Sequence, residues 1–211
     1  MIFYNQYPEK NIFIHIPKTG GNSVQQHLFR HNRSLDEIKV NAHQDGLHRF
    51  EVKGRYTRSK HMRVRDYFKH RSLRNMKYIC FLRHPIQRLV SLFFSPHRHY
   101  YYDKSLGKYC LPEKVDFQEE SFSTLIQSKC SSVDMLNISN RIDRVTMPSS
   151  LILLRYEYFD QHCKKYLGIQ NISHLNKNPW SEQVEAIISS TFVKNIIANS
   201  HHQVDLDLFY A

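Results

Sequence analysis

Two short stretches of the sequence carry residue types suited to holding a phosphate or a sulfate ester. In the first, the apolar run Asn11 to Ile16 is followed by Pro17-Lys18-Thr19-Gly20-Gly21-Asn22-Ser23. Val24, His27, Leu28 and His31 then recur at helical spacing. A strand, a glycine turn and a helix start form an anion-binding arrangement. The helix start presents N–H groups and a partial positive charge, glycine lets the backbone come close, and Lys18 adds a full charge. In the second, the run Lys77 to Leu82 delivers Arg83 at the carboxyl end of a strand, where parallel sheets bind ligands. Ser91 follows eight residues on, inside the next helix, with Arg88 between them. Arginine meets phosphate with a two-pronged fork and serine adds a hydroxyl donor. Taken singly, the first stretch also reads as an ordinary strand–turn–helix connection, and the second as a surface arginine and a helix serine. Two such turns on successive strands favour the anion site.

The order of residues narrows the ligand. Lys18 precedes the glycines and no glycine lies upstream of it, so this is not the G-x-x-x-x-G-K-[ST] loop of nucleotide triphosphatases. Nor is it G-x-G-x-x-G, which argues against a dinucleotide.

The elements that must position these residues read as alternating strands and helices, the α/β signature. Strands are predicted over 11–16, 77–82 and 150–155. Helices are predicted over 23–32, 62–73, 86–94, 117–128 and 157–167, with Gly168 closing the last, then one or two over 181–199 and a final turn over 204–210. Residues 97–115 read as a loop or irregular insertion. At 211 residues the chain is expected to be a single domain, 1–211. No apolar run approaches the roughly 18 residues that span a bilayer. No basic-then-apolar leader opens the chain, and the expectation is cytoplasmic if the chain is complete, Golgi lumen if it is a trimmed domain. Cys80, Cys110, Cys130 and Cys163 lack zinc-ligand spacing, so no metal is expected; Cys80 reads as a core thiol, and disulfides stay open. Asn32, Asn137 and Asn171 head N-x-S triplets that read as chance.

Charge points the same way as the two turns. The formal net charge is +11, and residues 49–77 hold eleven Lys/Arg against Glu51 and Asp66, a net +9. So concentrated a surface favours anionic partners over a merely solvated helix face.

Together the two stretches resemble the sulfotransferases that use 3′-phosphoadenosine 5′-phosphosulfate (PAPS). IFIHIPKTGGNS is similar to the family's 5′-phosphosulfate loop, and FLRHPIQRLVSLFF to its 3′-phosphate motif with the Arg-x7-Ser spacing. The nearest likeness is to the carbohydrate O-sulfotransferase branch, including small bacterial members. SKHMRVRDYF resembles a histidine-bearing segment of that branch, and the stretches from LRYEYFDQHCKKYLG to HLNKNP and DLDLFYA resemble its carboxyl end. The resemblance implies a three-layer α/β sandwich with a central parallel sheet, the P-loop-like sulfotransferase fold. It assigns Lys18, Thr19, Gly20, Gly21, Asn22 and Ser23 to the 5′ side of the nucleotide, and Arg83 and Ser91 to the 3′-phosphate. Asn22 stands where the family often has Thr.

The implied reaction moves a sulfuryl group in line from PAPS to an acceptor hydroxyl, without a metal. Lys18 neutralises the leaving phosphate oxygen and a histidine takes the acceptor's proton. His61, in the segment between the two motifs, is the chosen base, with His43 and His48 next. His15, within the first strand, reads as a core or cofactor-shell residue, and His84 as structural. Lys60 either depresses the basicity of His61, contacts the sulfate, or is simply solvated. The acceptor is expected to be a sugar hydroxyl on an anionic glycan. Lys60, Arg98, His99 and Tyr101 are the candidate contacts; alternatively, the tyrosines of that loop pack inward. No nucleic acid is expected as a partner. A phosphoryl-transferring kinase, a basic nucleic-acid-binding module and a PAPS-binding protein without turnover are the competing readings.

Overall fold

A computed structural model describes residues 2–6, 9–31, 36–39, 50–58, 60–139, 144–174 and 178–211. His43 and His48 lie outside these. Along the chain run β1 (Ile2–Gln6), β2 (Glu9–Ile14), α1 (Gly21–His31), β3 (Asp36–Lys39), β4 (Phe50–Lys53), α2 (Val64–Phe68), β5 (Lys77–Leu82), α3 (Pro85–Phe93), β6 (Tyr101–Asp103) and β7 (Lys108–Cys110). There follow α4 (Glu119–Ser128), α5 (Ser132–Leu136), β8 (Leu151–Arg155), α6 (Phe159–Leu167), α7 (Ser181–Ser189), α8 (Thr191–Ala198) and α9 (Gln203–Phe209). The described residues form two units: one gathers those within Met1–Lys39, Phe50–Arg83 and Ser132–Leu175, the other those within His84–Ser131 and Asn176–Ala211.

The first unit is built on a sheet in the order β1-β2-β5-β8. β2, β5 and β8 run parallel, with Ile12 opposite Tyr78 and Cys80 opposite Leu153; β1 is antiparallel at the edge. The protein is thus α/β with a three-stranded parallel core. Tyr78 through Leu82 are all buried, so β5 is apolar on both faces and shows no period-two alternation. On one face Phe13, Ile79, Phe81 and Leu154 pack with Val24 and Leu28 of α1 and Phe159, Cys163 and Leu167 of α6. On the other, Tyr78 meets the ring of Phe68, and its hydroxyl donates to the Leu73 carbonyl at 3.0 Å. The sheet therefore places the carboxyl ends of β2, β5 and β8, and the turns after them, side by side.

The second unit is helical around Leu89, Val90, Phe94, Phe122, Val193 and Ile197. Arg88 is buried there with Asp205, 3.6 Å from its carboxylate, and donates to the Cys130 carbonyl at 3.1 Å. It is a core cation rather than a member of an anion site.

Several elements differ from the sequence expectations. The first expected strand runs Glu9–Ile14 rather than 11–16: its pairing with β5 ends at Ile14 opposite Cys80, and His15 and Ile16 lead on to the turn. The helix expected over 62–73 is α2 followed by a separate turn at Arg71–Leu73, since His70 between them is extended. The stretch 181–199 is two helices: Ser190 is extended, and its hydroxyl accepts from the Val193 N–H to start α8. Residues 97–115 contain a hairpin, β6 against β7, with Tyr102 opposite Tyr109. Asp103 organises its turn by accepting from Ser105 and Leu106, and Gly107 supplies a positive φ. Gly168 closes α6 in the left-handed conformation, as expected. All four cysteines are free thiols, Cys80 and Cys163 buried.

Asp205→Ala leaves Arg88 charged in an apolar core. It should lower the unfolding free energy by about 3 kcal/mol, read by urea denaturation, and Asp205→Asn should cost clearly less.

Candidate functional site

β2 delivers the chain into a turn that only particular residues can make. Thr19 is buried and its hydroxyl donates to the Ile16 carbonyl at 2.8 Å, which closes the turn on itself. Lys18 has φ +69° and is the only non-glycine with positive φ among the described residues. For an L-residue that conformation is disfavoured and persists only where its surroundings hold it. Gly20 follows with φ +79°, and its carbonyl accepts from the Ser23 and Val24 N–H groups to open α1. A Cβ on Gly20 would sit 2.5 Å from the Phe159 ring. A Cβ on Gly21 would overlap the His15 imidazole. Both glycines are therefore required by close approach, at a helix start whose first N–H groups face the turn.

Cations converge on this turn. Arg83, just past β5, donates from Nη1 to the Lys18 carbonyl at 3.3 Å. Its guanidinium lies 4.6 Å over the Tyr156 ring, which follows β8. Lys60 is buried, and its Nζ donates to Asn22 Oδ1 at 3.2 Å. The Lys18 ammonium is pushed down to about 8, first by burial and then by the neighbouring charges of Arg83 and Lys60. Three like charges gathered at a helix start suit a multiply charged anion.

Two histidines flank the turn. His15 is buried, its Nδ1 is 2.6 Å from Gln25 Oε1, and its ring lies 4.5 Å from that of His61. Burial, then His61 and Lys60, hold its imidazole well below the usual histidine range, so it is neutral at pH 7. His61 Nδ1 lies 2.9 Å from the His15 carbonyl oxygen. A carbonyl only accepts, so Nδ1 carries the hydrogen and Nε2 is the basic nitrogen.

The structure thus brings together Lys18, Thr19, Gly20, Gly21, Asn22, Ser23, Lys60, His61 and Arg83 in the first unit. Ser91, Arg98, His99 and Tyr101 belong to the second. There Ser91 is buried within α3, and His99 Nε2 donates to the Phe93 carbonyl at 2.7 Å with Trp180 against its ring edge. Burial lowers the basicity of His99. Tyr101 is 49% exposed and Tyr102 53%, so the reading in which these two tyrosines pack inward is wrong: the hairpin turns them to solvent. His84 packs edge-on to Tyr210. Sequence reasoning missed Gln25 and Tyr156. Tyr156 had a signal, its place at the end of the third parallel strand; Gln25 had none beyond its position one residue past Val24. Among the described residues, no group of His, Cys, Asp and Glu could hold a metal ion, and no helix is long and apolar enough to cross a membrane.

Fold and site define an α/β protein with a cation-lined glycine turn at the carboxyl edge of a parallel sheet. The sulfotransferase family profile matches residues 7–179, and the chain belongs to that family. No curated protein and no solved structure gives a match.

Because the His15 ring fills the space beside Gly21, Gly21→Ala should cost about 1–3 kcal/mol of stability by overpacking. The cost should shrink in a His15→Ala background, so a double-mutant cycle by thermal unfolding should give a coupling of about 1 kcal/mol.

Proposed function

We propose that this sulfotransferase transfers the sulfuryl group of PAPS to an acceptor hydroxyl, with His61 taking the acceptor's proton.

 The balance is simple: the bond from sulfur to the leaving phosphate oxygen breaks, a bond from sulfur to the acceptor oxygen forms, and the acceptor's proton goes to His61 Nε2. The observation that carries this reading is the convergence of Lys18, Lys60 and Arg83 on one glycine turn. The two glycines that leave no room for a Cβ fit the same use, since they let backbone reach an anion.

In this reading Lys18 meets the charge that builds on the leaving oxygen, and its preset left-handed backbone means that no reorganisation is needed at that moment. Gly20, Gly21 and Asn22 offer N–H groups to the 5′ side, and Ser23, whose N–H is bound to the Gly20 carbonyl, offers its hydroxyl. Thr19 contributes through its backbone, because its hydroxyl is spent on Ile16. Arg83, oriented by Tyr156, holds the 3′-phosphate, and Lys60 lies on the sulfate side; for Ser91 the support is the Arg-x7-Ser spacing in the sequence. His61 has the tautomer a base needs, with Nδ1–H bound to a carbonyl and Nε2 as the basic atom. The acceptor is a sugar hydroxyl of an anionic glycan, with Arg98, His99 and Tyr101 as contacts. The exposure of Tyr101 favours an external ligand over core packing, whereas His99 can offer only the nitrogen not bound to Phe93.

Thermal unfolding with adenosine 3′,5′-bisphosphate, ATP and AMP tests the cofactor. At one hundredfold above Kd, linkage gives about 2.7 kcal/mol of stabilisation. The shift should be specific to the 3′,5′-bisphosphate and reduced in Lys18→Ala and Arg83→Ala. An equal shift with ATP, or none, overturns the reading and returns the basic segment to nucleic-acid binding.

The Lys18 value also sets a pH dependence. A bound phosphate favours the protonated lysine. Below pH 8 Lys18 already carries its proton and affinity is flat; above it, binding must supply that proton and affinity falls. Isothermal titration should find binding about tenfold weaker at pH 9 than at pH 7. Lys18→Arg should flatten the slope.

A further inference from the structure

The segment Lys60–His61 crosses the glycine turn like a strap. On the near side His61 Nδ1 donates to the carbonyl of His15, before the turn. On the far side Lys60 Nζ donates to Oδ1 of Asn22, in the first turn of α1. The two anchors are adjacent in sequence, so fixing one constrains the other. His15 is in turn fixed by Gln25 and by its fit beside Gly21. The anchor on the far side is the Asn22 side chain.

We propose that Asn22 is a positioning residue: its side-chain oxygen fixes Lys60 and thereby holds His61 in the orientation in which Nε2 is the basic nitrogen. Its side chain then serves the strap rather than the nucleotide. The chemistry at this position explains the residue type. Lys60 Nζ is a donor only, so its partner must accept. The amide oxygen of asparagine accepts without adding charge, whereas a carboxylate there would repel an anion at the helix start. The proposal rests on the reading of His61 as the base, but its geometry can be tested without turnover.

The test compares three variants with the wild-type chain, each first checked for an unchanged thermal midpoint. Asn22→Ala removes the acceptor, Asn22→Asp keeps it and adds a charge, and Asn22→Thr offers a shorter hydroxyl acceptor in its place. The first readout is the ring 15N spectrum of His61. Wild type and Asn22→Asp should show a protonated Nδ1, while Asn22→Ala should shift toward the Nε2–H form. The second readout is the Kd for adenosine 3′,5′-bisphosphate. It should change by less than threefold in Asn22→Ala and weaken by about tenfold or more in Asn22→Asp. With an acceptor in hand, Asn22→Ala should lower kcat and leave the nucleotide KM within threefold, and Asn22→Thr should fall between it and wild type. The opposite split, with bisphosphate affinity lost in Asn22→Ala and the His61 spectrum unchanged, overturns the proposal and makes Asn22 a nucleotide contact. If wild type binds no bisphosphate at all, the cofactor reading fails, while the His61 spectra still decide whether Asn22 holds the strap.

Discussion

The left-handed backbone of Lys18 is the constraint on which the site depends. A lysine with φ +69° would leave that conformation if it were not held. Three features hold it. The Thr19 hydroxyl ties the turn to Ile16, the tightly packed Gly20 admits no side chain beside Phe159 and Tyr156, and Arg83 takes the Lys18 carbonyl. Each brace comes from a different strand end: β2 leads into the turn, β5 into Arg83, and β8 into Tyr156 and Phe159. The parallel sheet matters to the site because it sets those three ends at one edge. A sheet of the same strands in another order would leave Lys18 unbraced.

Holding three cations together is costly, and the cost supports the proposed anion site. The depressed basicity of Lys18 records both its burial and the repulsion from Arg83 and Lys60. A stable fold gains nothing from such an arrangement, since apolar side chains of similar volume would pack more cheaply. An incoming anion reverses the balance: it meets charges already desolvated and oriented, and it relieves their mutual repulsion. Arg83 shows the same preorganisation, with one nitrogen on the backbone and its plane over Tyr156.

The parts of this design that were legible in the sequence are those encoded by neighbouring residues. The runs before Lys18 and Arg83 are marked as strands by the apolar stretches Ile12–Ile14 and Tyr78–Leu82, and the turn between Pro17 and Ser23 is where the glycines put it. His61 was singled out by its segment, and the structure sets it against the turn. What stayed hidden is what long separations create. Lys60 reaches Asn22 across 38 residues, His61 reaches His15 across 46, and Arg83 reaches Lys18 across 65. Local patterns also misled. Val64, Tyr67 and Phe68 meet the helical spacing over five residues, and nothing in that spacing reports that His70 breaks the run. The β6–β7 hairpin escaped because its strands are three residues long and turn their tyrosines to water, so no buried face marks them.

The basic segment has two jobs that composition alone merges. Of its lysines and arginines with described side chains, only Lys60 is buried, while Arg55, Arg58, Lys69, Arg71, Arg74 and Lys77 are exposed. The exposed charges act at a distance: they raise the local concentration of any anion and are screened by salt. The buried one acts at contact and is screened little. A net +9 over this stretch therefore cannot by itself distinguish a nucleic-acid surface from an enzyme for charged substrates, since both use the outer charges alike. The distinction rests on the inner charge. Lys60 is buried, bound to Asn22 and adjacent to a histidine of defined tautomer, an arrangement that supports the proposed site for a small, specifically placed anion.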